Sequence, residues 1–184
     1  MSRRVAVLVG SLRNGSYNHM AAEALRALAP ASLELKTVGI GELPLYNPDL
    51  DEDGARPPAW AAFRDAVRPA EGLLFVTPEY NRSVPGLLKN AIDVGSRPYG
   101  QSVFAGKAGA VMSVSPGAPG GFGANHHLRQ SLVFLDVLVM QQPEAYVGGA
   151  AKRFGSDGQL ADEGTKKFFQ AFIDAFAAWV ERLG

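Results

Sequence analysis

The chain contains no cysteine. That single absence removes a disulfide framework, a thiolate metal centre and a cysteine nucleophile, and nothing in the composition calls for an oxidising compartment. There is no charge bias either, since 18 basic and 18 acidic residues cancel. Without a broad field to attract nucleic acid or an anionic membrane, any anion site must be local. Also lacking is any apolar run near the roughly 20 residues of a spanning helix. The amino-terminal stretch imitates a signal sequence, Ser2-Arg3-Arg4 preceding apolar residues, but that run stops at Gly10-Ser11 after positions 5–9. A signal core needs roughly 7–15 apolar residues, so the segment reads as a first strand. The expectation is a cytoplasmic protein that binds neither nucleic acid nor membrane.

What is present has the proportions of a soluble globular protein: 47% apolar and 20% charged residues. At 184 residues the chain suffices for one well-buried core and is short for two, so residues 1–184 read as one domain. Short apolar runs at 5–9, 33–38, 72–76, 108–114 and a last one within 138–147 alternate with helical patterns at 18–28, 58–67, 84–94, 122–135 and 165–183. Strands alternating with helices predict a parallel sheet covered on both faces. Right-handed crossovers leave few topologies, and the expected one is an α/β three-layer sandwich of flavodoxin-like type, with five strands in the order 2-1-3-4-5. In the last helix Phe168, Phe169, Phe172, Ile173, Phe176, Trp179 and Val180 recur every three to four residues, which predicts a core stripe. The Ser156-Asp157-Gly158 turn before it predicts a small hairpin at 154–160.

Two segments carry chemistry. The first strand ends in Gly10-Ser11-Leu12-Arg13-Asn14-Gly15-Ser16-Tyr17-Asn18. Glycines, hydroxyls and one arginine at a helix start suit a phosphate, because backbone amides converge there, the helix dipole favours an anion and Arg13 adds charge-assisted hydrogen bonds. The plain alternative is a loop with a helix cap. Gly10 and Gly15 have P-loop spacing, but Ser16 stands where that motif needs its lysine, and Leu12 breaks the dinucleotide fingerprint. A terminal monophosphate remains. The second segment is the elbow Pro78-Glu79-Tyr80-Asn81-Arg82-Ser83, followed by Pro85 at the start of a helix. In a 2-1-3-4-5 sheet the crevice lies at the carboxyl ends of strands 1 and 3, where these two segments emerge. A phosphate at one side and a flat ring held by Pro78, Tyr80 and Asn81 at the other describe flavin mononucleotide (FMN).

The chain resembles the NADPH-dependent FMN reductase family, especially its quinone and chromate reductase branch. The resemblance rests on the loop at 10–18, on Pro78-Glu79-Tyr80-Asn81 through Lys89-Asn90-Ala91-Ile92-Asp93, and on Ser115-Pro116-Gly117 with Gly120-Gly121. It implies that Ser11, Arg13, Ser16 and Asn18 hold the FMN phosphate. It further implies that Pro78, Glu79, Tyr80 and Asn81 line the isoalloxazine, and that Ser115 and Gly117 close its other edge. NADPH or NADH would be the electron donor, a quinone, chromate or another small molecule the acceptor, and a homodimer or homotetramer the assembly. Hydride transfer between two stacked rings needs no acid or base from the protein, so no catalytic side chain is expected. A flavodoxin-type electron carrier is the competing reading.

Other residues offer less. Asp49-Leu50-Asp51-Glu52-Asp53-Gly54 imitates an EF-hand loop, but its twelfth position is Trp60 and Pro57-Pro58 interrupts the next helix. His126 and His127 are adjacent and diverge on a helix, so no metal is expected. Lys89 and Asp93, one turn apart, suit a simple ion pair. Glu79 has two readings, a contact with substrate or nicotinamide and a structural carboxylate at a helix entry or interface.

Overall fold

The computed structural model describes residues 2–51 and 55–184. Its strands are β1 (Arg3–Val9), β2 (Leu33–Thr37), β3 (Gly72–Thr77), β4 (Ala108–Val114), β5 (Leu138–Val139) and β6 (Ala145–Val147). The helices are α1 (Tyr17–Leu28), α2 (Pro58–Val67), α3 (Gly86–Gly95), α4 (Phe122–Phe134) and α5 (Glu163–Leu183). Every strand pair is parallel, and the order is β2-β1-β3-β4-β5, with β6 also on β4.

Alternation along the strands sorts the core into two layers, because successive side chains point to opposite faces. Val5, Val7, Leu74, Val76, Ala110 and Met112 pack with α1 and α5. Ala6, Leu8, Leu73, Phe75 and Val111 pack with α2, α3 and α4. Every residue of β3 and β4 is buried, which explains their predominantly apolar character, broken only by Thr77 and Ser113. The stripe on α5 is core, with Phe169, Phe172, Ile173 and Phe176 all fully buried. Asp162 caps this helix, its Oδ1 accepting from the Thr165 amide at 2.8 Å. Phe154 and Leu160 form the antiparallel bridge of the expected hairpin.

Two expectations are revised. The last strand is two short pieces, with β5 pairing at the start of β4 and β6 at its end. Between them, at 140–144, lies Pro143, which has no amide to give a ladder. Pro85 sits immediately before α3 rather than inside its first turn, its carbonyl accepting from the Lys89 amide at 3.0 Å. In the acidic stretch, Asp51 is bound by arginine: its carboxylate takes two hydrogen bonds from Arg64 (2.8 and 2.7 Å) and one from Arg56 (2.8 Å). The Arg64 hydrogen bonds hold the Asp51 carboxyl below its ordinary range despite burial. Glu52, Asp53 and Gly54 lie outside the described residues.

Registers Val9↔Val76 and Thr77↔Ser113 bring the carboxyl ends of β1, β3 and β4 side by side. The loops that follow these strands therefore open on one edge of the sheet. Phe75 is fully buried whereas Tyr80, five positions on, is 51% exposed. Full burial of a phenylalanine contributes about 1.5–3 kcal/mol to folding, a gain of which Tyr80 forgoes a large part.

Candidate active site at the carboxyl edge

The loop after β1 closes through its own residues. Ser16 is the N-cap of α1, its Oγ accepting from the Asn18 amide at 3.2 Å. The Ser16 amide donates to the Arg13 carbonyl at 3.2 Å, and Ser11 Oγ accepts from the Arg13 amide at 3.4 Å. His19 Nε2 lies 2.7 Å from the Ser11 carbonyl. Gly15 has φ +67, the left-handed conformation that glycine adopts without strain. Ser11, Ser16 and Asn18 are buried while Arg13 is exposed, facing a groove of about 530 Å³ shared with the hairpin turn at 156–159. No acidic residue occupies the first turn of α1, so its positive end is uncompensated. Asn18 Nδ2 donates to the Val114 carbonyl at 3.3 Å, tying this loop to the end of β4. Its Oδ1 is buried without a hydrogen-bond partner.

The elbow after β3 has a different construction. Pro78 is buried, and Tyr80 and Ser83 exchange backbone hydrogen bonds of 3.1 and 3.0 Å around a two-residue turn. Both turn residues are left-handed, Asn81 at φ 52 and Arg82 at φ 64. Such turns favour Asn-Gly, because a side chain in this region costs about 1–2 kcal/mol and only a short polar one offsets it locally. Tyr80 and Asn81 are both exposed. Glu79 turns the other way. Its side chain is 12% exposed and its Oε2 accepts from the Ala124 amide of α4 at 3.0 Å, with Arg82 Nη1 3.5 Å from Oε1.

The segment after β4 completes the edge. Ser115 is half-buried, its amide donating to the Val147 carbonyl (3.0 Å) and its Oγ accepting from the amide of the exposed Gly117 (3.3 Å). Gly120 and Gly121 are left-handed, and at Gly120 a side chain would strike the Tyr146 backbone at 2.6 Å. Beside them, the Tyr146 hydroxyl lies 2.8 Å from His126 Nε2, and burial, with Glu144 nearby, pushes that phenol up to about 12. All ten residues singled out in the sequence thus emerge from the ends of three neighbouring strands. Gly123 and His127 of α4, which carry no motif, also belong to the edge: His127 Nδ1 lies 2.8 Å from Ser83 Oγ. The signal for them is indirect, since Gly121 begins α4 with no side-chain cap of its own and the cap must come from elsewhere.

The family model described as NADPH-dependent FMN reductase matches residues 3–152. The chain belongs to the NADPH-dependent FMN reductase family. Among relatives, a quinone reductase of Pseudomonas putida is 64% identical over 96% of this chain and 94% of its own. A 2-hydroxy-1,4-benzoquinone reductase of a Burkholderia species is 48% identical over 98% and 97%. The solved structure of FerB, a flavoenzyme NAD(P)H:(acceptor) oxidoreductase from Paracoccus denitrificans, superposes with a TM-score of 0.92 at 43% identity, covering 99% of both chains. As an FMN reductase family member this is an NAD(P)H-dependent flavin enzyme, and its cofactor is FMN. The edge fits that cofactor. An anionic phosphate matches a loop of amides, hydroxyls and one arginine at a helix start, and the solitary Asn18 Oδ1 lacks the kind of donor that a ribityl hydroxyl supplies.

Proposed function

We propose that this chain is a quinone reductase that binds FMN across the edge formed by β1, β3 and β4. The observation that carries this reading is the adjacency of an anion-suited loop and an outward-facing aromatic elbow on neighbouring strand ends. Ser11, Arg13 and Ser16 hold the phosphate, Arg13 by charge-assisted hydrogen bonds and the others by hydroxyls, amides and the α1 dipole, while Asn18, whose amide and Nδ2 already donate to Ser16 and Val114, serves the adjoining ribityl chain through Oδ1. Pro78, Glu79, Tyr80 and Asn81 line the isoalloxazine, Glu79 through its backbone since its carboxylate is committed to α4. Ser115 and Gly117 close the opposite edge. FMN, when bound, takes hydride from NADPH or NADH and delivers electrons to the acceptor. The protein's task is to hold the ring open on one face, where donor and acceptor stack in turn at about 3–3.5 Å. No side chain is assigned a proton transfer.

The quinone acceptor follows from the relatives' names, and chromate falls within the same class of small acceptors. Among the described residues no helix is long and apolar enough to cross a membrane. Cytoplasmic residence, a single functional unit over 1–184 and a homodimer or homotetramer complete the reading. Exposed Val133 and Phe134 on α4 supply apolar surface for self-association. A flavodoxin-type carrier is the weaker alternative, since a net charge of zero lends no support to the acidic docking surface such a carrier calls for. The test is stopped-flow reduction of the FMN-loaded protein by NADPH and NADH, followed by reoxidation with benzoquinone. Tyr80→Ala and Asn81→Ala are each expected to slow flavin reduction about tenfold; Tyr80→Ala should move the melting temperature little because the side chain is exposed, whereas Asn81→Ala should lower it, since alanine loses the local polar contact that eases the left-handed turn. Wild-type rates in both variants would remove the elbow from the site.

A further inference from the structure

The elbow holds two consecutive left-handed residues that are not glycine, Asn81 and Arg82; the third such residue among those described, Asp136, stands alone. Arginine gains nothing locally from this conformation, and such a turn persists only where its surroundings over-determine it. The surroundings are the first two turns of α4. Glu79, at the root of the turn, gives its carboxylate to the Ala124 amide, an unpaired donor of the helix start 45 residues away. At the far side, Ser83 Oγ meets His127 Nδ1 at 2.8 Å, across 44 residues. Between these two bonds the helix presses directly on the turn: a side chain at Gly123 would stand 2.9 Å from Glu79 Oε2 and 3.0 Å from the Arg82 carbonyl.

We propose that Glu79 and His127 are positioning residues, which fasten the elbow to the amino end of α4 and so keep the strained Asn81-Arg82 turn in the shape that presents Tyr80 and the elbow backbone to FMN. The proposal rests on the reading that the elbow borders the flavin. Glu79 acts through the helix rather than on the ring, and His127 acts through Ser83. The negative carboxylate is favoured where it stands, since the start of α4 carries the positive end of the helix dipole. Gly123 is the residue that permits the approach, and the absence of any side-chain cap at Gly121 leaves the place for Glu79 vacant.

The experiment compares FMN affinity of the apoprotein, the visible spectrum of bound flavin, and kcat and KM for NADPH with benzoquinone. Glu79→Ala is expected to raise the FMN Kd about tenfold and lower kcat with little change in KM, the loss of one charge-assisted hydrogen bond. Glu79→Gln keeps an oxygen for the Ala124 amide and is expected to recover most of both losses. His127→Ala is expected to cost about threefold, because its bond is exposed. The decisive arm is Arg82→Gly, in which the turn no longer strains: in that background Glu79→Ala is expected to cost less than about half its effect on a logarithmic scale. Equal losses from Glu79→Ala with and without the Arg82→Gly change overturn the proposal, as does failure of Glu79→Gln to restore function, or unchanged affinity, spectrum and kcat in Glu79→Ala. Should Tyr80→Ala and Asn81→Ala also leave the flavin spectrum and affinity untouched, the placement of the elbow at the flavin falls with it. If those two variants alter the flavin while Glu79→Ala does not, only the positioning role is lost.

Discussion

The loop after β1 closes on itself, whereas the elbow after β3 is closed by a helix that begins some forty residues later. In the first, the bonds that shape the loop join residues at most eight apart, from Ser11 to His19, save for the tie of Asn18 Nδ2 to the Val114 carbonyl, and a serine caps the helix in its own sequence. In the second, the local Tyr80–Ser83 backbone bonds are joined by side-chain bonds that run to Ala124 and His127. A self-contained loop can present an anion site as soon as its strand and helix exist. A strained turn braced from outside acquires its shape only when the whole α3 and α4 face has packed. The difference predicts that damage to the loop affects ligand binding locally, while damage to the brace is transmitted through the fold.

Arg13→Ala tests the first half with the largest expected effect. Losing charge-assisted bonds to a phosphate should weaken FMN binding about 10- to 100-fold, or roughly 1.4–2.7 kcal/mol. The melting temperature of the apoprotein should not change, since Arg13 is exposed. Titration of apoprotein with FMN, followed by fluorescence quenching, reads the affinity; unchanged binding would break the comparison at its strongest point. Gly123→Ala tests the second half. The added methyl meets the Arg82 carbonyl and the Glu79 carboxylate, and should lower apoprotein stability by about 1–2 kcal/mol in urea unfolding while also weakening FMN. A loss of affinity without a loss of stability would show the brace to be as local as the loop. Ser16→Ala is the mildest. Removing the α1 cap should cost about 1 kcal/mol of stability by the same urea measurement, and FMN affinity should fall with it because hydroxyl and dipole act together.

The contrast also explains what can be read from the sequence. Runs such as Gly72–Thr77, buried on both faces, and the α5 stripe announce themselves by pattern, and the 2-1-3-4-5 order follows from alternation and handedness. The loop at 10–18 is legible because its glycines, hydroxyls, arginine and helix cap are neighbours in the chain. The two-piece last strand is not, since 138–147 is apolar enough for one strand and the break depends on Pro143 leaving the ladder. The partners of Asp51 are equally hidden: a carboxylate in an acidic stretch pairs with Arg64 and Arg56 only once α2 has packed. Gly123 and His127 belong to no motif, and they meet the elbow only through tertiary contacts, Gly123 against Glu79 and the Arg82 carbonyl and His127 with Ser83. Glu79 carries both of its readings in the sequence, and the structure gives its carboxylate a place at a helix start.

The strands beneath the site are wholly occupied with holding the molecule together: every position of β3 and β4 is buried. On the proposed site, discrimination between electron acceptors falls to short surface segments such as 80–83 and 115–119, which contribute little hydrocarbon to the interior. Such an arrangement lets chemistry drift while architecture stays put. Libraries randomised at 80 and 116–119, which leave the Asn81-Arg82 turn and the Ser83–His127 bond in place, should yield mostly foldable enzymes with altered appetites.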